Sequence, residues 1–167
     1  MSYYVIIRGP AGAGKSTISR LLAARIGATA VHLDKVLEEA GLDYVEGEKW
    51  IPRQRFLKAE GIIIPKARKE LEDGRNVVFD GNFYHREQIE DTIGSLNFPH
   101  EVFTLKADLE ECARRDESRE KPLGREGVEA VHRLVSAFDY GNAIETKGKA
   151  PDEVVEEIIS VLNSVFN

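Results

Sequence analysis

The chain has little of what extracellular and membrane proteins depend on. Its 167 residues include one cysteine, Cys112, so no internal disulfide can form, and we expect a reducing compartment. No apolar run approaches the ~20 residues that a membrane span needs. The first apolar run begins at Tyr3, which leaves no room for a leader peptide. We therefore expect a cytoplasmic protein that does not bind a membrane.

An excess of positive charge is also missing. The 23 Lys and Arg residues face 29 Asp and Glu residues, and the net charge of −6 argues against a surface built to bind a long polyanion. The charges are nevertheless clustered: residues 34–48 hold six acids and one lysine, whereas residues 49–75 hold eight bases and four acids. Residues 114–125 hold five bases and three acids. These two positive segments either contact phosphate groups or form solvated helix faces.

Apolar runs alternate with amphipathic stretches along the whole chain. The runs cover residues 3–7, 29–33, 76–79, 101–105 and 143–144. This alternation predicts an α/β protein with a parallel sheet and helices on both faces. Helical periodicity is clear in residues 16–26 and in the last helix, which should begin at Pro151. Gly61 and Pro65 predict a break or kink in the basic stretch 53–73. We expect a single domain over residues 1–167.

One segment carries a specific motif. Residues 9–16 match the pattern G-x-x-x-x-G-K-S, directly after the first apolar run and at the start of the first helical stretch. Glycines let the backbone turn until several N–H groups point at one centre, and the following helix adds its positive N-terminal dipole. We predict a nucleoside triphosphate site with Lys15 on the β- and γ-phosphates and Ser16 on Mg²⁺. The residues assigned to it are Gly9, Ala11, Gly12, Ala13, Gly14, Lys15, Ser16 and Thr17.

Polar residues that directly follow the apolar runs are the other candidates, because open α/β sheets bind ligands beyond the carboxyl ends of their strands. Asp80 follows the third run, where a P-loop protein keeps the acid that orients Mg²⁺, although it could instead cap a turn with Gly81. Asp34 follows the second run and could accept a proton from an acceptor hydroxyl, or cap the next helix. We assign Asn82 to the acceptor side. His32 should point to the same face as Asp34, and we expect it to be structural.

An arginine-rich segment follows the fourth strand and its helix. Arg115, Arg119 and Arg125 should lie between two helices. Phosphoryl transfer needs both stabilisation of charge and exclusion of water, so we predict a mobile lid over about 115–127, with Arg115 and Arg119 acting on the phosphates. A solvated charge run is the alternative. Lys149, after the last strand, is assigned to the nucleotide, although turn chemistry explains its neighbouring glycine equally well.

The acceptor is less determined by the sequence. The basic segment contains Trp50, Arg53, Arg55 and Phe56. Aromatic rings beside arginines favour an acceptor with a base to stack and a negative group to pair, and we assign Arg53 and Arg55 to it. A nucleotide, nucleoside or nucleic-acid terminus fits best. Trp50 and Phe56 could equally belong to the core, so a small-metabolite acceptor is the alternative.

The order of these features resembles the small P-loop kinase superfamily. The matching features are the phosphate-binding loop, Asp34, the Asp-Gly-Asn of residues 80–82 and the Cys-Ala-Arg-Arg-Asp of residues 112–116 before the arginine-rich segment. The branch with polynucleotide 5′-hydroxyl kinases, zeta-toxin-like kinases and chloramphenicol phosphotransferases is the most similar. The resemblance implies a three-layer P-loop NTPase fold with a five-stranded parallel sheet in the order 2-3-1-4-5. It also implies ATP and Mg²⁺ on Lys15 and Ser16, Asp34 as the base, and Arg115 and Arg119 in the lid.

The sequence therefore predicts an ATP- and Mg²⁺-dependent kinase that phosphorylates a hydroxyl of a nucleotide, nucleoside or nucleic-acid terminus. A hydroxyl of a small metabolite or antibiotic is the alternative acceptor, and no obligate protein partner is evident. A switch GTPase is disfavoured, because the chain has no Asn-Lys-x-Asp motif and Asp80 is not followed by x-x-Gly. A P-loop ATPase without kinase activity, or an inactive nucleotide-binding module, is the alternative of another class.

Overall fold

The computed structural model describes residues 1–48 and 50–166, and its centre is a five-stranded sheet. All strand pairs are parallel, and the strand order is β2-β3-β1-β4-β5. This confirms the predicted α/β class and sheet order. The strands are β1 (Tyr4–Arg8), β2 (Thr29–His32), β3 (Val77–Gly81), β4 (His100–Lys106) and β5 (Asn142–Glu145).

The central strands are buried on both faces. Every residue of β1 and β3 is buried, as expected for nearly continuous apolar runs in a parallel sheet covered by helices on both sides. The strand register aligns the carboxyl ends of β1, β2 and β3. Asp80 of β3 lies opposite Ile7 of β1 on one side and opposite His32, the last residue of β2, on the other. The segments that leave β1, β2 and β3 therefore meet at one edge of the sheet.

The helices form two outer layers. Along β1, Tyr4 and Ile6 join one apolar cluster, while Val5 and Ile7 join the other, as the alternation of side chains along a strand requires. The first cluster packs against α2 (Leu33–Glu39), α3 (Arg53–Glu72), α4 (Arg86–Leu96) and α6 (Arg125–Ser136); the second packs against α1 (Lys15–Ile26) and α7 (Pro151–Phe166). The remaining helix is α5 (Leu109–Glu117). Among the described helices, none combines the length and apolarity that crossing a bilayer requires.

The helix α3 corrects one sequence expectation. Gly61 and Pro65 lie inside a helix that is continuous from Arg53 to Glu72, so of the predicted break or kink, the break is wrong. A proline in a helix removes one backbone hydrogen bond. Here Phe56, Ile63 and other apolar residues of the same helix are buried against the sheet, and this burial outweighs the loss.

Candidate active site

The glycine loop between β1 and α1 has the backbone that its sequence predicts. Gly12 and Gly14 have φ angles of +84° and +88°, and Gly14 is the N-cap of α1. A Cβ atom at Gly12 would lie 2.6 Å from the carbonyl oxygen of Cys112 on α5. Glycine is therefore needed at position 12 both for its conformation and for space. The loop leads directly into the N-terminus of α1, where free backbone N–H groups favour anions.

Lys15, the first residue of α1, lies buried at the centre of this loop. Its Nζ donates to the carbonyl oxygen of Pro10 at 2.9 Å and to Oδ1 of Asn82 at 3.0 Å. Burial lowers the pKa of Lys15, while the nearby carboxylates of Asp34 and Asp80 oppose this shift. The structure thus brings the predicted phosphate-binding lysine together with Asn82 and with both candidate acids.

Asp80 is buried at the end of β3 and is held by three side chains. Ser16 Oγ donates to Oδ1 at 3.1 Å, Ser19 Oγ donates to Oδ2 at 2.5 Å, and His32 Nδ1 lies 2.5 Å from Oδ2. These bonds connect Asp80 to α1 and β2, and the structural role expected for His32 stays a prediction. Ser19 was missed, although its spacing of three from Ser16 places both hydroxyls on one helix face.

Oxygen atoms of Ser16 and Asp80 are a donor set suited to Mg²⁺. Within residues 1–48 and 50–166, no cluster of three His, Cys, Asp or Glu side chains could hold a metal by itself. A Mg²⁺ ion at this position would therefore depend on the serine, the aspartate and the phosphate oxygens of a nucleotide.

Asp34 is the second residue of α2 and does not cap that helix. The N-cap position is occupied by His32, and no side-chain cap hydrogen bond is present. Asp34 Oδ1 is buried and has no hydrogen-bond partner among the described residues. Burial raises the pKa of Asp34, and Lys15 opposes this rise. An unpaired buried carboxylate oxygen costs about 1–3 kcal/mol, so its retention at this position points to a ligand.

A cavity of about 780 Å³ opens in front of these groups. Lys15, Asp34 and Asn82 lie in its wall together with Ala11 of the loop. Most of the remaining wall residues lie between 43 and 51 and in the arginine-rich segment between 119 and 127. Trp50 lines this cavity, whereas Phe56 is buried in the core. The sequence did not decide whether these two aromatic residues face a ligand or the core, and the structure separates them.

The arginine-rich segment consists of α5, a turn and α6. Arg115 lies inside α5, and its Nη1 donates to the carbonyl oxygen of Gly12 at 3.2 Å. Arg119 lies in the turn and lines the cavity. Arg125, the first residue of α6, pairs with Glu110 and Glu129 outside the cavity wall. Two of the three arginines therefore face the glycine loop or the cavity.

Two residues that sequence reasoning missed shape this region. Asp116 is buried and accepts from the backbone N–H groups of Leu123 at 3.1 Å and Gly124 at 2.9 Å, which closes the turn between α5 and α6. Arg8, fully buried at the end of β1, donates to the carbonyl oxygen of Val135 at 2.8 Å. A cation directly before the glycine loop was a visible signal for Arg8, whereas Asp116 stood in the Cys-Ala-Arg-Arg-Asp segment without an assigned role.

Three predicted ligand-binding residues lie outside the cavity wall. Arg53 pairs with Asp91 of α4 at 2.9 Å, and Arg55 donates to the carbonyl oxygen of Gly41 at 3.1 Å. Lys149 pairs with Glu157 of α7 at 2.5 Å. The structure places neither arginine in the cavity wall, because the apolar side of α3 packs on the sheet and turns both guanidinium groups elsewhere. Lys49, which belongs to the same basic segment, lies outside the described residues.

The glycine loop, the parallel sheet and the arginine-bearing helical hairpin define a P-loop nucleotide-binding protein. The chain matches the family model of the AAA domain over residues 5–138 and belongs to that family. It is 35% identical over 165 residues to a protein of Thermococcus kodakarensis provisionally named an adenylate kinase, covering 95% of this chain and 84% of the relative. It is 26% identical over 170 residues to a shikimate kinase of Thermodesulfovibrio yellowstonii, covering 98% and 96% of the two chains.

Among solved structures, the fold matches a sugar kinase from Janibacter sp. HTCC2649 with a TM-score of 0.76 and 15% identity, covering 99% of this chain and 96% of the other. The family match and the kinase relatives confirm the predicted superfamily. The protein is a P-loop kinase, and its reaction is phosphoryl transfer.

Proposed function

We propose that this kinase transfers the γ-phosphoryl group of ATP to a hydroxyl of a small acceptor that carries no phosphate. The observation that carries the proposal is the buried Oδ1 of Asp34, which has no hydrogen-bond partner among the described residues and belongs to the cavity that Lys15 also lines. A carboxylate in this position suits an alcohol, which must lose a proton when its oxygen attacks phosphorus. It does not suit a phosphate acceptor, which arrives with negative charge.

ATP and Mg²⁺ fit the residues on the donor side. The left-handed conformations of Gly12 and Gly14 and the N-terminus of α1 form an anion cradle, and Lys15 adds a buried cation. Ser16 and Asp80 would hold Mg²⁺, which neutralises charge on the phosphates. Lys149 has its own ion pair with Glu157, so we leave it out of this site.

The remaining residues have separate tasks in the transfer. The acceptor hydroxyl donates a hydrogen bond to Asp34, its oxygen forms a bond to the γ-phosphorus, and the bond from phosphorus to the bridging oxygen of ADP breaks. The hydroxyl proton passes to Asp34, and the raised pKa of that carboxyl favours its acceptance. Lys15 and Arg119, which both line the cavity, stabilise charge on the transferred group. Arg115 positions the hairpin on the loop through Gly12.

A second candidate acceptor is a nucleoside monophosphate, because relatives at 30% to 35% identity are provisionally named adenylate kinases. A phosphate acceptor needs cations on the acceptor side. Arg53 and Arg55, the arginines that the sequence offered for this purpose, bind Asp91 and Gly41 instead. The same argument applies to a nucleic-acid terminus. We therefore rank an uncharged or positively charged alcohol first.

The test is a labelling experiment with γ-labelled ATP and a panel of AMP, nucleosides, RNA ends, sugars and small alcohols. We expect label in an alcohol, and we expect Asp34→Asn to slow transfer about 10²- to 10⁴-fold while ATP binding and melting temperature stay near those of the wild type. Because Asp34 does not cap α2, the substitution removes charge without removing a cap. Labelling of AMP alone, or wild-type turnover by a stable Asp34→Asn protein, would contradict the proposal.

A further inference from the structure

Carboxylates outnumber cations in the described part of the cavity wall. Six of the lining residues carry a carboxyl group, against three that carry a cation. The six are Asp34, Glu38, Asp43, Glu48, Glu120 and Glu126. Such a wall is unusual beside a site for a polyanion, because like charges raise the free energy of binding. The part of the cavity that would hold the acceptor, here called the acceptor half, must therefore be explained separately from the part that would hold the phosphates.

The three cations of the wall already have other roles or partners, so they offer little positive charge to an acceptor. Lys15 and Arg119 belong to the triphosphate side under the proposed function. Lys121 pairs through Nζ with Oε1 of Glu38 at 2.8 Å, which links the arginine-rich hairpin to α2. The side chain of Glu48, in contrast, has no hydrogen bond or ion pair with any residue that the structure describes. Asp43 forms no hydrogen bond either, but it lies near enough to Lys121 to raise the pKa of that lysine.

Glu120 is exposed as well, and its carboxylate forms no hydrogen bond or ion pair within residues 1–48 and 50–166. It lies on the turn that carries Arg119. Asp43, Glu48 and Glu120 are therefore exposed carboxylates of the acceptor half, and Lys121, the cation near Asp43, already pairs with Glu38. A neutral acceptor would leave this charge uncompensated next to bound ATP. A cationic acceptor would neutralise part of it.

Aromatic side chains stand in the same wall. Tyr44 is 72% exposed and Trp50 is 41% exposed, although both are large and apolar. Aromatic faces next to carboxylates form the combination of groups that binds organic ammonium ions, because the ring quadrupole and the carboxylate attract the same charge. The cavity volume of about 780 Å³ lies in the range of sites for sugar-sized and larger molecules.

We propose that the acceptor is a hydroxylated organic cation, such as an amino sugar or an amino alcohol. Its hydroxyl reaches the unpartnered Oδ1 of Asp34, and its ammonium group lies toward Asp43, Glu48 and the rings of Tyr44 and Trp50. The inference rests on the proposed function, since it assigns the chemistry of the molecule that Asp34 deprotonates. The ammonium group itself stays unchanged in the reaction.

The test compares matched acceptors in which an ammonium group replaces one hydroxyl. Initial rates with γ-labelled ATP are measured for D-glucosamine against D-glucose and for ethanolamine against ethylene glycol. We expect kcat/KM to be at least about tenfold higher for the cationic member of a pair, and added salt to reduce this preference. Binding of the same compounds to the complex with a non-hydrolysable ATP analogue is measured by calorimetry, so the result does not depend on turnover.

Variants locate the effect. The double variant Asp43→Asn with Glu48→Gln should lower kcat/KM for the cationic member about tenfold and change that for the neutral member less than about twofold. Glu46→Gln is the matched control, because Glu46 lies on the same loop and is exposed but does not line the cavity. Equal affinities for both members of each pair would overturn the inference while the proposed function stands. Labelling of AMP in place of every alcohol would overturn both.

Discussion

Gly12→Ala is the substitution whose effect can be worked out most directly from the structure. The φ angle of +84° costs a residue with a side chain about 1–2 kcal/mol. The new Cβ would also lie 2.6 Å from the oxygen and 2.9 Å from the Cα of Cys112. Both atoms are backbone of α5 and cannot rotate away, so overpacking adds about 1–3 kcal/mol. We expect a loss of about 2–5 kcal/mol in the free energy of unfolding.

The control is Gly74→Ala, which isolates the cost of conformation. Gly74 has a φ angle of +82°, and a Cβ there would have no described heavy atom within 4 Å. Its loss should therefore stay near about 1–2 kcal/mol. Urea unfolding followed by circular dichroism measures both variants under the same conditions. Equal losses in the two variants would refute the claim that the glycine loop packs directly on the backbone of α5.

Three further predictions concern catalysis and pH. Lys15→Ala should reduce turnover roughly a thousandfold or more, because it removes the cation from the transferring phosphates, and should leave the far-ultraviolet circular dichroism spectrum unchanged. Near-normal turnover would contradict the assignment of Lys15 to the phosphates. Arg115→Ala and Arg119→Ala should each lower kcat more than they raise KM. An unchanged kcat in both variants would support the alternative that these arginines only form a solvated charged surface. Burial raises the pKa of Glu60 from 4.5 to about 7, so the folded state binds this proton more tightly than the unfolded state. The resulting stability is present below pH 4.5 and lost as pH rises through about 7. Glu60→Gln should therefore flatten the pH dependence of the free energy of unfolding in that window. An unchanged slope would contradict the assignment of this pH dependence to Glu60.

Residues whose role depends on local pattern could be predicted from the sequence. The strands β1 and β3 are short apolar runs, and their complete burial in a parallel sheet follows from that pattern. The G-x-x-x-x-G-K-S spacing gave the loop geometry, and Asp34 and Asp80 lie beside Lys15 because parallel strands end at one edge. These features need only the order of residues along a strand and the handedness of the connections.

Residues whose role depends on distant packing could not be predicted in the same way. Arg53 and Arg55 lie on a helix with a long apolar face, and only the docking of that face decides which way the guanidinium groups point. Asp116 closes a turn through backbone groups seven and eight residues away, which no periodicity reveals. The acidic wall of the cavity likewise combines residues from two segments more than 60 positions apart in the chain, so its charge becomes visible only in the fold.

The hairpin that carries Arg119 is attached at one end to the glycine loop and at the other to β1, the strand that leads into this loop. At one end, Arg115 binds the carbonyl oxygen of Gly12. At the other, Arg8 donates to the carbonyl oxygens of Val135 and Phe138 near the C-terminus of α6, where the helix dipole favours a cation. Burial lowers the pKa of Arg8 to about 10, and these carbonyl groups with the ring of Phe138, 4.3 Å away, offset the loss of solvent. Because the loop holds the α5 end and β1 holds the α6 end, a shift of the loop on binding phosphate would move α5 relative to α6, and the turn closed by Asp116 would carry Arg119 with it.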